Sequence, residues 1–177
     1  LHLKASIPSA VMRDGRCLYA CPSAKHLIAP PAPASHRVSE PIQPPYDPVR
    51  VENTRDWIRV ARDDLRIAEL LLQQEMFDQC LFHCQQSVEK ALKALLTWHD
   101  EPVPRSHALP DLGACCLRLA PSIMPELRAS YELARWAVDG RYPPPKSNPS
   151  EAAFGLRLAR QAVDALMSEI PSSVRAI

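Results

Sequence analysis

The sequence has little glycine and no stretch suited to crossing a membrane. Gly occurs four times in 177 residues, and no Gly-rich phosphate loop is present. No apolar run reaches roughly 18 residues, so no transmembrane helix is expected. A charge excess is also missing. The net charge is +1, which argues against a dedicated nucleic-acid binder, since such proteins usually carry a strong basic excess. No segment alternates convincingly with period two, so no sheet is expected. A signal peptide is not expected either, because no clean apolar core follows a basic start. The acids in the first residues weaken a transit-peptide reading. The chain starts with Leu rather than Met, which suggests a fragment or a start placed upstream of the real one.

Proline is abundant. There are 19, and nine of them fall in the first 48 residues. Residues 1–50 show no sustained period, and the second half of this stretch has a Pro every few positions. That composition suits a disordered, polyproline-like extension. It carries a charge of +3, against −2 for the rest of the chain. Residues 51–171 are expected to fold, and residues 172–177 are expected to be a tail. One domain is the default at this length. Of the six Cys, Cys80, Cys84, Cys115 and Cys116 lie inside helical patterns. Cys is commonly a small buried hydrophobe there, so a reduced, cytoplasmic protein is the expectation.

The densest helical signal is DQCLFHCQQSVEKALKALLTW, residues 78–98. Phe77, Cys80, Cys84, Val88, Ala91, Leu95 and Trp98 are spaced three or four apart and make one apolar stripe. Helix one precedes it, capped by Asn53 or Thr54 and running to about Gln74. Its stripe is Trp57, Ala61, Leu65, Ala68 and Leu72. A short turn joins the two into an antiparallel hairpin. Pro102 and Pro104 end helix two. Ser106 is expected to cap a short third helix carrying Leu109, Leu112, Cys116 and Leu119. Pro125 opens a fourth helix that runs to Gly140. Asn148, Pro149 and Glu151 read as N-cap, first-turn proline and N3 acid of a fifth helix, which Pro171 ends. The expected fold is all-α: an antiparallel up-and-down bundle of about five helices, three long, one medium and one short.

In this order WIRVARDDLRIAELLL, FHCQQSVEKALKALL, SHALPDL, LARWAVDGRYP and an Ala- and Leu-rich last helix resemble the HEPN domain family, over roughly residues 53–170. The QQ..EKALKA run is the most specific piece. The resemblance implies a helical bundle that usually forms a homodimer. It also implies one of three roles: a ribonuclease of toxin–antitoxin or antiviral systems, a partner of a small nucleotidyltransferase, or a nucleotide-binding module. Nuclease members carry an Arg, four to six residues, then a His at the dimer interface. None of His2, His26, His36, His83, His99 or His107 follows an Arg at that spacing, and Arg141 is followed by YPPPKSNPS. Acid–base cleavage of RNA needs a group titrating near neutrality at the phosphate. A non-catalytic interaction or nucleotide-binding module is therefore the leading expectation. The alternatives are a metal-independent ribonuclease that uses Arg141 with His107 or Tyr142, and a stand-alone nucleotide binder.

The candidate ligand or partner surface comprises Gln86, Glu89, Lys90, Lys93, Arg105, His107, Arg141 and Tyr142. The plainer reading of Glu89 and Lys93 is a solvated helix flank with one surface ion pair. Lys90 is the residue placed to face a phosphate. His107 and Arg105 share a Pro-bounded loop, where the plainer reading is a helix-end His bonding backbone or a carboxylate. Arg141 would pair with an acid or take a phosphate, and Tyr142 would pack on the end of the bundle. Cys80, His83 and Cys84 do not converge as four zinc ligands would, and Cys17, Cys21 and His26 lie in the extension. No metal and no cofactor are expected. Trp57, Trp98 and Trp136 read as core, or else as dimer interface.

Overall fold

The computed structural model describes residues 46–134 and 147–176. Among them lie six α-helices: α1 Pro48–Gln73, α2 Phe77–Trp98, α3 Leu109–Cys116, α4 Met124–Ser130, α5 Pro149–Ser168 and α6 Ser172–Arg175. Single 3-10 turns, Pro121–Ile123 and Tyr131–Leu133, flank α4. There is no strand among the described residues.

The first helix starts five residues before the expected cap. Asp47 is the N-cap, accepting from the Val49 amide at 3.0 Å, and Pro48 occupies the first turn. Asp-Pro is a strong start signal, and here it closes the Pro-rich stretch. Thr54 sits inside the helix, fully buried, with its hydroxyl on the Arg50 carbonyl at 2.8 Å. The turn into α2 uses Glu75 at φ 58, and Asp100 at φ 57 follows α2. Both are left-handed positions that a polar residue tolerates.

Contacts fix the helix directions. Lys90 and His83 of α2 both reach Asp64 of α1, and the short turn at residues 74–76 makes the two helices antiparallel. Glu69 of α1 meets Arg160 of α5, while Arg55 meets the carbonyls of Ser173 and Val174 farther along the chain. Helix α5 is thus antiparallel to α1. Ser122 bonds Glu169, and Leu133 lies against Gly155, so the α4 segment runs opposite to α5. The result is an up-and-down bundle, with α3 packed on α2.

At the centre is α2. Every residue from Ala91 to Leu96 is buried, far beyond the single stripe that periodicity showed. Leu92, Leu95 and Leu96 are buried, as are Ile58, Leu109, Leu112, Leu127 and Leu166 on the surrounding helices. At Gly155 a Cβ would run into the Leu81 side chain, so α5 approaches α2 as closely as glycine permits. Helix α5 begins with the expected capping box: Asn148 accepts from Glu151 N at 3.0 Å, and Glu151 accepts from Asn148 N at 3.0 Å. Ser106 does not cap α3. That N-cap is Ala108, and Ser106 instead bonds Ala108 N and Asp111. Residues 172–175 form a helix where a tail was expected. Its carbonyls are held by the guanidinium groups of Arg55 and Arg62. Residues 1–45 lie outside the described residues, and so does the expected end of the fourth helix at Gly140.

Candidate functional site

Two polar clusters flank α2, and the residues that α2 gives to both are ones helical periodicity places off its apolar stripe. The first centres on Glu89. Its side chain is 3% exposed, and it accepts from Lys93 Nζ at 2.7 Å and from His107 Nδ1 at 3.0 Å. Gln85 Nε2 lies 3.4 Å from Glu89 Oε2 and donates to the His107 carbonyl at 3.1 Å. Gln86 donates to Gln85 Oε1 at 2.8 Å and approaches Glu89 at 3.5 Å. Lys93 Nζ stands 5.4 Å from the centre of the Trp57 ring, a cation–π contact.

This flank is not solvated. The loop carrying His107 folds over it from one side, and Trp57 of α1 closes it from the other. A buried carboxylate has to be paired and hydrogen-bonded, and Glu89 is. The consequence lies at the edge of the cluster. With Nδ1 on Glu89, the His107 imidazole has a fixed orientation, yet its side chain remains 77% exposed. Arg105, two residues earlier, is also exposed.

The second cluster centres on Asp64, whose side chain is 8% exposed. Its Oδ1 takes His83 Nδ1 at 2.8 Å, and its Oδ2 takes Lys90 Nζ. His83 and Lys90 are 27% and 25% exposed. Lys90 therefore spends its charge on α1. Phe82 stands edge-on to the His83 ring, with centroids 5.5 Å apart.

Of the eight residues singled out from sequence, the structure joins Gln86, Glu89, Lys93 and His107. It sets Lys90 in the adjacent cluster and leaves Arg105 on the rim. Arg141, Tyr142 and Trp136 lie outside the described residues. Sequence reasoning left Asp64, Gln85 and His83 out of the candidate surface, His83 having been weighed with Cys80 and Cys84 as a zinc ligand. Asp64 had one available signal: it is three residues after Ala61 and four before Ala68, so it lies on the apolar stripe of α1, and a carboxylate there requires a partner. Trp98 is buried, with Tyr46 edge-on at 4.9 Å and Arg50 5.4 Å above the ring.

The thiols are placed for packing. Cys80 and Cys84 are buried neighbours. The hydrogen bond between them holds Cys80 low and pushes Cys84 up, and burial adds to the rise. Burial pushes Cys116 up to about 12. The raised values keep the Cys84 and Cys116 thiols protonated and unreactive. Among the described residues no group of three or more His, Cys, Asp or Glu is arranged to hold a metal ion. No helix among them is long and apolar enough to cross a membrane. An open groove of about 590 Å³ between α4 and α5 is lined by residues that include Glu126 and Asp164. It carries acids and no base, which suits a phosphate poorly.

The sequence model of the HEPN domain matches residues 54–170. The chain belongs to the HEPN family. This HEPN domain is similar in fold to TT1696 from Thermus thermophilus, with a TM-score of 0.58 and 24% identity over 67% of this chain and 98% of that one. No curated protein matches the chain. Membership places its function among nucleotide-binding or ribonuclease-related modules. The Glu89 and Asp64 clusters both fall within the matched residues, on α1, α2 and the loop before α3.

Proposed function

We propose that this HEPN domain is a binding module without the family's nuclease chemistry. It would work in the cytoplasm as a homodimer, in a toxin–antitoxin-like or defence setting. Its ligand is a nucleotide, or the nucleotide-handling face of a nucleotidyltransferase-type partner. One observation supports this reading above the others. A buried carboxylate, Glu89, holds His107 by Nδ1 and leaves the rest of an exposed imidazole facing solvent. Preorganised donors of this kind favour an anion, because the ordering cost is met before the ligand arrives. Arg105 on the same loop adds a permanent positive charge. The buried members, Gln85, Gln86, Glu89 and Lys93, act as the floor. The view that the module is non-catalytic rests on the absence of a His at nuclease spacing after any Arg.

The test is nucleotide-dependent stability. A ligand that binds the folded state raises the melting temperature by mass action. ATP or GTP at millimolar concentration is expected to raise it by several degrees. His107→Ala and Arg105→Ala are expected to remove most of that rise; Arg105→Ala should leave the ligand-free value within about a degree, whereas His107→Ala, which takes a partner from buried Glu89, should lower it. No shift with the unaltered protein would sink the nucleotide reading. Co-purification with a nucleotidyltransferase encoded beside it would then favour the protein partner. Sedimentation as a monomer at tens of micromolar would remove the homodimer.

A further inference from the structure

We propose that His107 is a phosphoryl-acceptor site, its Nε2 a nucleophile held ready by the buried Glu89 carboxylate. It needs no bound nucleotide, so it goes beyond the binding reading above and does not rest on it. Three sets of contacts fix the residue. Glu89, 3% exposed, accepts from Nδ1 at 3.0 Å. Gln85 Nε2 donates to the His107 carbonyl at 3.1 Å. On either side in the loop, Ser106 accepts from the Ala108 amide at 3.1 Å and donates to Asp111 at 3.0 Å. A carboxylate that also takes Lys93 Nζ at 2.7 Å can only accept. The hydrogen of the neutral imidazole therefore sits on Nδ1, and the lone pair sits on Nε2. With 77% of the side chain exposed, Nε2 is the nitrogen open to an incoming electrophile. The other described imidazoles lack part of this arrangement. His83 has its carboxylate, Asp64, at 2.8 Å but is 27% exposed, and His99 is partly buried.

The donor class is a phosphoramidate, either a small molecule or the phosphorylated imidazole of another protein. Nε2 attacks phosphorus and forms an N–P bond. The bond from phosphorus to the donor nitrogen breaks, and its electron pair leaves with that nitrogen, as ammonia from the protonated amide. Nothing is oxidised or reduced. As the new bond forms, Nε2 gives up its lone pair and the ring becomes positive, with the Nδ1 hydrogen still on Glu89. That charge develops against a nearly inaccessible carboxylate, where it is stabilised more strongly than in water. Arg105, exposed two residues earlier, is the cation available to the phosphoryl oxygens. Glu89 touches no reacting atom and is a positioning residue.

The experiment treats the full chain with potassium phosphoramidate at neutral pH. Phosphorus NMR follows N-phosphohistidine and tells the Nδ1 and Nε2 isomers apart, and peptide mapping under alkaline conditions locates each site. His107 is expected to react at Nε2 alone, faster than His83 and His99 and faster than N-acetylhistidine amide in the same solution. Glu89→Gln keeps an acceptor at Nδ1 but removes its charge. With a native circular-dichroism spectrum, it is expected to slow His107 about tenfold, the order by which a charged acceptor outdoes a neutral one. A merely structural Glu89 would leave that rate unchanged in the folded variant. The acceptor role is overturned if His107 of the unaltered protein reacts no faster than N-acetylhistidine amide, if it reacts at Nδ1, or if folded Glu89→Gln reacts at the unaltered rate. The nucleotide reading is judged separately by the melting temperature. A chain that takes phosphate on His107 but ignores ATP and GTP keeps the acceptor and loses the nucleotide.

Discussion

At the scale of single residues, Glu89 is the clearest case of a side chain whose role depends on what covers it. It is charged, nearly inaccessible and bonded to Lys93 and His107. Removing one partner of a buried pair leaves the other charge uncompensated, which costs about 3–5 kcal/mol. Glu89→Ala is therefore expected to lower the unfolding free energy by about that amount in urea denaturation. The double change Glu89→Leu with Lys93→Met is expected to recover most of it, since an apolar pair of similar volume avoids desolvating two charges. A double variant no more stable than the single would refute this account. His99, just past the end of α2, carries a pH dependence. Burial pulls it below the ordinary imidazole value, Arg50 adds to that, and Glu169 and Glu101 oppose it. The unfolded chain then binds the proton more readily than the folded one, so stability falls as pH drops through the ordinary imidazole value near 6.5. Melting temperature is expected to fall between pH 7 and the lowered folded value, and His99→Gln is expected to flatten that part of the curve.

At the scale of elements, the ends of helices were less legible than their faces. The start of α5 was readable because Asn148, Pro149 and Glu151 are a complete local motif needing no distant partner. Asn148→Ala is expected to cost about 1 kcal/mol, checked by the urea midpoint. The start of α1 was missed because Asp47 and Pro48 are embedded among prolines that favour extended chain. Only the packing of Tyr46 and Arg50 on Trp98 makes that turn worth forming. The short α6 was missed for a similar reason. Four residues cannot hold a helix alone, and its carbonyls depend on Arg55 and Arg62, over a hundred residues away in sequence. Between elements, Gly155→Ala is expected to cost about 1–3 kcal/mol by overpacking against Leu81, despite the better helix propensity of alanine.

At the scale of the molecule, the contacts at the head of α1 set where the folded unit begins. A chain starting at Pro45 keeps the Asp47 cap, the Tyr46 contact with Trp98 and the cation–π contact of Arg50. A chain starting at Val51 loses all three. Together they are worth about 2–3 kcal/mol, so the shorter chain is expected to melt several degrees lower. Equal melting temperatures would mean that the first turn of α1 adds nothing. The same scale bears on function: the Glu89 cluster needs α1, α2 and the loop before α3 at once, so nucleotide binding is expected to be lost cooperatively with the fold in urea.

The sequence by itself determined the all-α class, the five main helical segments, the cap of α5 and the family. The first three follow from periodicity, local caps and proline stops, which act over a few residues; the family follows from the order of its sequence motifs over residues 54–170. Only the tertiary structure decided which polar residues on α2 are surface and which are interior. Periodicity marks one apolar face, but α2 is surrounded by α1, α3 and α5, so its polar face is covered too. Burial then forces each charge to find a partner. Glu89 found Lys93 and His107, while Lys90 and His83 found an aspartate on α1 that no local pattern joined to them.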